Sequence, residues 1–177
     1  GRRIRRAFIA RPGWLLVDAD YSQIELRILA HLSGDENMID AFVKGQDIHA
    51  RTAAEVYGVP LEEVTPQMRS ASKAVNFGIV YGISDFGLAR NIGVSRKEAA
   101  EFIERYFARY PGVKRFMDSA VADGKALGCA QTMFGRRRPL PELQSSNYNV
   151  RSFGERAAMN TPVQGAAADI IKLAMVR

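Results

Sequence analysis

Cysteine, histidine and long apolar runs are all scarce in this chain, and each shortage closes off a class of protein. Cys129 stands alone among 177 residues, which rules out an internal disulfide framework and fits a reducing compartment. His31 and His49 beside that one cysteine argue against a structural zinc cluster. No apolar run approaches the ~18 residues needed to span a bilayer. Internal repeats and low-complexity tracts are absent as well. The chain begins at Gly1 without a signal-peptide pattern, and its last residues, 170–177, read as helix without a cap. It therefore reads as an excerpt of a longer protein.

Positive charge, by contrast, is plentiful. The net charge is +6, with 47% apolar and 25% charged residues, an ordinary balance for a soluble globular protein of one domain or two small lobes. Arg2, Arg3, Arg5 and Arg6 open the chain, and Arg136, Arg137 and Arg138 form a second block. Such blocks suit a polyanion, because phosphate contacts dominate nucleic-acid affinity. Either block alone suits solvated surface charge equally well.

The most informative stretch is 65–82. Thr65 can cap a helix and Pro66 fits its first position, where the missing N–H costs nothing. Nothing from Pro66 to Tyr81 forbids a helix, and Gly82 can end it. On that helix Arg69, Lys73, Phe77 and Tyr81 lie four apart and form one slowly drifting stripe. Two cations followed by two aromatic faces suit a phosphorylated, planar molecule. The same spacing also suits an amphipathic helix with surface cations and core aromatics, and spacing alone leaves both open.

Earlier in the chain, Trp14-Leu15-Leu16-Val17 follows the turn-forming Pro12-Gly13 and reads as a buried strand leading into Asp18-Ala19-Asp20. A strand-end carboxylate is a common magnesium ligand, and on a strand Asp18 and Asp20 point to the same side. Helices are expected over 23–32 (Ile24, Ile28 and Leu32 on one face), 35–44, 47–57 with Asp47 as cap, and 84–91. Ser95 with Glu98 makes a capping box for the helix carrying Phe102 and Tyr106, and 113–127 gives another. Residues 128–143 read as a strand pair or loop presenting the arginine block. Pro162 is expected to break or kink the final helical stretch, 147–176.

Asp20-Tyr21-Ser22-Gln23-Ile24-Glu25-Leu26-Arg27, followed by Arg69-x-x-x-Lys73-x-x-x-Phe77-Gly78-x-x-Tyr81-Gly82, resembles two signature motifs of the family A DNA polymerases. The resemblance continues through Asp47-Ile48-His49, Phe134-Gly135-Arg136-Arg137-Arg138 and Asn160-Thr161-Pro162-Val163-Gln164-Gly165, and so covers essentially the whole chain. It implies an α+β, mostly α-helical fold from a right-hand polymerase, with a few antiparallel palm strands. Residues 1–45 would be a palm portion, 46–143 the fingers, and 144–177 helices returning to the palm.

The resemblance also assigns roles. Asp20 and the Tyr21 carbonyl would bind Mg²⁺, one ion activating the primer 3′-hydroxyl and another holding the triphosphate. Arg69 and Lys73 would hold the incoming triphosphate, with His49 as a further phosphate contact. Phe77 would pack on the nucleotide sugar, and Tyr81 would occupy the template position until the helix closes. Glu25 would exclude a 2′-hydroxyl, with Gln23 a weaker contact in the same pocket. Arg136, Arg138, Arg156, Asn160 and Gln164 would meet DNA, the last three along the nascent duplex. The implied partners are primer-template DNA and deoxynucleoside triphosphates. The implied setting is a monomeric enzyme of replication and repair in the bacterial cytoplasm, associated with the nucleoid and not with membrane.

One departure stands out. The family carries a second metal-binding aspartate on a His-Asp-Glu segment, and no His-Asp pair occurs in this sequence. The chain is therefore expected to be inactive alone, with Asp18 a bystander. A basic nucleic-acid-binding module without catalysis is the rival reading, but it leaves Asp20, Glu25 and the Arg69–Tyr81 stripe without a reason to occur together. A single-subunit RNA polymerase is disfavoured by Glu25.

Overall fold

The computed structural model describes residues 2–176, with side chains from residue 4 onward; Gly1, Arg177 and the side chains of Arg2 and Arg3, half of the first basic block, lie outside the described residues. Eight α-helices follow one another: α1 (Ile24–Ser33), α2 (Glu36–Val43), α3 (Ile48–Tyr57), α4 (Pro66–Val80), α5 (Asp85–Ile92), α6 (Arg96–Arg109), α7 (Pro111–Leu127) and α8 (Tyr148–Val176). Between α7 and α8, β1 (Cys129–Gln131) and β2 (Arg137–Pro139) pair antiparallel, with Ala130 opposite Arg138. The expected mostly helical α+β fold is the one adopted.

Local chemistry sets most of the boundaries. Asp35, Asp47, Thr65, Ser84 and Ser95 each accept a backbone N–H at a helix start, and Ser95 with Glu98 completes the capping box. Pro66 and Pro111 occupy first-turn positions where their missing N–H is harmless. Asn147 accepts from the N–H groups of Asn149 and Val150 and so starts α8.

One main core joins these helices. Leu26 and Leu29 of α1, Ile48 of α3, Val75 and Val80 of α4, Leu88 of α5, Tyr106 of α6 and Val163 of α8 are fully buried in it. Burial of each such aliphatic side chain contributes about 1.5–3 kcal/mol. On α1 the buried face centres on Leu26, Ile28 and Leu29, while Ile24 and Leu32 pack at its margin. A smaller cluster of Ala130, Leu140, Leu143, Ala157 and Ala158 seats the hairpin on α8. The α3–α4 packing holds the Arg69–Tyr81 stripe outward: Val75, Asn76 and Ile79 turn in, leaving Arg69, Lys73 and Tyr81 exposed and Phe77 half-buried.

Two expectations fail. Residues 14–17 form no strand, and Trp14, Leu15, Leu16 and Val17 are 65–90% exposed. A strand needs a hydrogen-bonding neighbour, and among the described residues none lies beside this segment. Asp18 and Asp20 therefore sit on exposed, irregular backbone, not at a strand end. The other failure is at Pro162, where α8 runs through without a break. A mid-helix proline costs ~3 kcal/mol, but Ala158, Thr161, Val163, Ala166 and Ala167 around it are all buried. Their packing against α1, α7 and the hairpin outweighs that cost. No helix among the described residues is long and apolar enough to cross a membrane.

Candidate functional site

The site is built where α3, α4, α1 and α8 meet. Asp47 serves two helices at once. Its Oδ1 accepts from the N–H groups of His49 (2.9 Å) and Ala50 (3.2 Å), capping α3. Its Oδ2 accepts from Arg69 Nε of α4 at 2.7 Å. Both partners are substantially exposed, so this ion pair orients Arg69 more than it stabilises the fold. The Arg69 guanidinium and the two backbone N–H groups hold the Asp47 carboxyl below its ordinary range, against burial, which pushes it up.

In the first turn of α3, the His49 ring lies 5.7 Å from the Phe77 ring, and Lys73 Nζ lies 5.9 Å from the centroid of that same Phe77 ring. His49 is buried. Burial drives its pKa down from 6.5 to about 4, with Asp47 opposing and the Arg69 and Lys73 cations adding to the depression. His49 is therefore a neutral ring inside a cationic patch, and the fixed positive charge comes from Arg69 and Lys73.

At the far end of the stripe, the Tyr81 hydroxyl donates to Glu25 Oε2 (3.1 Å) and Oε1 (3.3 Å), tying the end of α4 to the first turn of α1. Burial raises the Tyr81 phenol pKa, Gln164 opposes by hydrogen bonding, and the Glu25 carboxylate raises it further. Gln23 caps α1 in the left-handed conformation, at φ 57°. Phe77, Tyr81, Gly82 and Arg156 line a cleft of about 520 Å³ between α4, α5 and α8. Gly82 has φ +65°, and any Cβ there would strike Met159 and Arg156, so glycine is required on both counts.

The structure thus brings His49, Arg69, Lys73, Phe77, Tyr81, Glu25, Gln164 and Arg156 into one neighbourhood. Asp20 and Tyr21 belong to a separate hollow of about 460 Å³ against Ile171, Ala174 and Met175 of α8. Among the described residues, no group of three or more His, Cys, Asp or Glu side chains converges as a metal site. Asp20 nevertheless fits the donor chemistry of magnesium. It is an exposed carboxylate beside the backbone carbonyl of Tyr21, and such an ion takes few protein ligands.

In the hairpin, Arg136 turns inward to Asp169, with Nε 2.9 Å from Oδ1, and Thr132 donates to the same carboxylate at 3.1 Å. Arg136 and Thr132 together lower the Asp169 pKa against a smaller effect of burial. Arg138 reaches Thr161 at 3.4 Å, while Arg137 is exposed. Asn160 is half-buried, and its Oδ1 has no hydrogen-bond partner.

Sequence reasoning missed Asn76. It is fully buried on the inner face of α4 and bonded to His49 and Thr52. The available signal was a polar residue between Val75 and Ile79 on an apolar face.

The family model for DNA polymerase family A matches residues 1–177. The chain is 60% identical over 177 residues to DNA polymerase I of Geobacillus stearothermophilus, covering 99% of this chain and 20% of that protein. It is 57% identical to DNA polymerase I of Bacillus subtilis, again covering 99% of this chain and 20% of that protein. The POL domain of Pol1 from M. smegmatis, solved in complex with DNA primer-template and dNTP, superposes with a TM-score of 0.85 at 49% identity, over 89% of this chain and 28% of that one. The chain thus spans about a fifth of the length of these curated relatives. With the family model matched along the whole sequence, this chain belongs to the family A DNA polymerases.

Proposed function

We propose that this chain supplies the fingers and adjoining palm of a DNA-directed DNA polymerase, which adds deoxynucleotides to a primer 3′-end on a template. The observation that carries the reading is the exposed ridge of α4: Arg69 and Lys73 present charge, and Phe77 and Tyr81 present aromatic faces onto one cleft.

In this reading Arg69 and Lys73 bind the triphosphate, and the neutral His49 ring adds a hydrogen bond without charge. Phe77 packs on the sugar. Glu25, half-buried and already accepting from Tyr81, stands where a 2′-hydroxyl would need room. Tyr81 holds the template position until α4 swings over a correctly paired nucleotide and assembles the site. Arg156, Asn160 and Gln164 follow the new duplex along α8, and Arg136 and Arg138 approach DNA from the hairpin, with Asp169 orienting Arg136. Asp20 and the Tyr21 carbonyl would hold Mg²⁺, which supplies charge stabilisation for phosphoryl transfer when bound. The sequence contains no His-Asp pair, so the second carboxylate of the reaction is not among its residues, and extension by this chain alone is not expected.

The decisive experiment is titration of the chain with a deoxynucleoside triphosphate and Mg²⁺. Weak binding that Lys73→Ala lowers by at least about ten-fold (1.4 kcal/mol) supports the reading. Binding of duplex DNA with indifference to the nucleotide would instead mark a basic module without catalysis.

A further inference from the structure

A set of hydrogen bonds between buried side chains lies behind the ridge, with His49 at its edge. Thr52 of α3, Asn76 of α4 and Tyr110, which joins α6 to α7, are all 0% exposed, and His49 is 2% exposed. The Thr52 hydroxyl lies 2.7 Å from the Ile48 carbonyl, which commits its one proton there. Its oxygen must then accept from its other neighbours, Asn76 Nδ2 at 3.2 Å and the Tyr110 hydroxyl at 3.3 Å. Asn76 Oδ1 lies slightly farther from the same oxygen, at 3.4 Å, so the amide is set with its N–H end as the nearer partner of Thr52. The second hydrogen of the same Nδ2 is directed at His49 Nδ1, 3.1 Å away.

We propose that Asn76 is a positioning residue that fixes the tautomer of His49: by donating to Nδ1 it leaves Nε2 as the protonated nitrogen, so that His49 meets its ligand only as a neutral hydrogen-bond donor. The consequence for nucleotide binding rests on the polymerase reading above, whereas the tautomer itself does not.

Donor counting supports the assignment. A proton on Nδ1 would face another N–H donor, and relieving that clash requires turning the amide. The turned amide would aim Oδ1 at His49 and move the amide N–H group from 3.2 to 3.4 Å from the Thr52 oxygen, a longer and weaker bond. The charged groups that face His49 are Asp47 on its own helix and Arg69 and Lys73 on α4. Two cations against one carboxylate also disfavour the imidazolium. A triphosphate gathered by Arg69 and Lys73 would otherwise tend to protonate the nearby ring. With Asn76 in place, the ridge keeps the same charge across the physiological range.

The test is ¹⁵N-edited NMR of the histidine rings in the full chain, with His31→Gln used to assign the two. At neutral pH the expected spectrum shows a neutral His49 with Nε2 protonated and Nδ1 an unprotonated acceptor. A protonated Nδ1, or an imidazolium, overturns the proposal from the wild-type spectrum alone. Asn76→Asp provides the second arm, because its carboxylate accepts from Nδ1–H. The His49 titration midpoint should rise by about 1–3 in pH, and triphosphate affinity should become pH-dependent where the wild type is flat. An unmoved midpoint in folded Asn76→Asp also overturns it. The expected tautomer without any triphosphate binding would instead defeat the polymerase reading and leave this proposal standing.

Discussion

The Tyr81 hydroxyl and the Glu25 carboxylate close a link across 56 residues, at 3.1 and 3.3 Å to the two oxygens. The bond reaches from the C-terminal cap of α4 to the first turn of α1, so the Glu25 carboxylate is steadied by a residue that lines the cleft. Removing either member of the pair should then have related effects. With the segment placed in an intact relative, Glu25→Ala should raise ribonucleotide incorporation. Tyr81→Phe should raise it less, by about five-fold, matching one hydrogen bond of ~1 kcal/mol. Primer extension with paired ribo- and deoxynucleotides reads both, and unchanged discrimination in Glu25→Ala would remove it from the sugar pocket.

Asp18 and Asp20 are two residues apart and both exposed, yet only Asp20 shares the hollow formed with Ile171, Ala174 and Met175. In the same graft, Asp20→Ala should abolish extension, while Asp18→Ala should stay within about three-fold of the parent, as surface substitutions usually cost under ~0.5 kcal/mol. Single-turnover primer extension distinguishes them. Equal losses would show that the two carboxylates act together.

What could be read from residues alone was what depends on near neighbours. The caps at Asp47, Thr65 and Ser95 each involve a bond spanning two or three residues, and all three formed as expected. Helix period put Arg69, Lys73, Phe77 and Tyr81 on one stripe but left open whether its aromatics faced the core; the fold exposes Tyr81 and leaves Phe77 half-buried. Partners distant in sequence were not legible. Asp47–Arg69, Asn76–His49 and Arg136–Asp169 span 22, 27 and 33 residues, and nothing local to either member announces the other. The 14–17 run shows the same limit, since its composition suits a strand but a ladder needs a partner. At Pro162 the local rule was sound, and tertiary packing overrode it. The roles of Glu25 and Asp20 came from the resemblance, not from periodicity.

Asp47 caps α3 with one oxygen and restrains Arg69 with the other. Asp47→Ala should therefore lower stability by about 1 kcal/mol through the lost cap, with little further loss from an ion pair this exposed. Asp47→Asn keeps a capping oxygen and should recover most of it. Urea unfolding of the three proteins is the check, and an Asn variant as weak as the Ala variant would shift the credit from the cap to the charge.

The depressed pKa of His49 gives stability a definite pH dependence. Above 6.5 the ring is neutral both folded and unfolded, and it contributes no slope. As pH falls from 6.5 to about 4, the unfolded chain takes up a proton that the fold refuses, so stability declines through that window. The full loss is on the order of 3 kcal/mol. Unfolding free energies measured across the window should show this slope, and His49→Gln should flatten it even if its neutral-pH stability is lower. A slope that survives the substitution would place the titrating group elsewhere.

Gly112 and Gly124 lie in the same helix and make a matched pair. The Gly112 N–H donates to Asp35 Oδ2 at 2.8 Å, and a Cβ on Gly112 would come within 2.9 Å of Asp35 Cα, Cβ and Oδ2. Asp35 cannot retreat, because its other oxygen caps α2 by accepting from the Met38 N–H at 3.1 Å. At Gly124 an added Cβ would lie 3.1 Å from Leu143 Cδ1, the tip of a flexible side chain, and 3.2 Å from Ala158 Cβ, so the neighbours need give only a few tenths of an ångström. Either alanine gains about 1 kcal/mol of helix propensity. Overpacking against fixed backbone costs roughly 1–3 kcal/mol, so Gly112→Ala should be destabilising overall and Gly124→Ala close to neutral. Parallel denaturant melts measure the difference. If the two variants unfolded alike, the contact between the start of α7 and the cap of α2 would not be the tight joint that these distances describe.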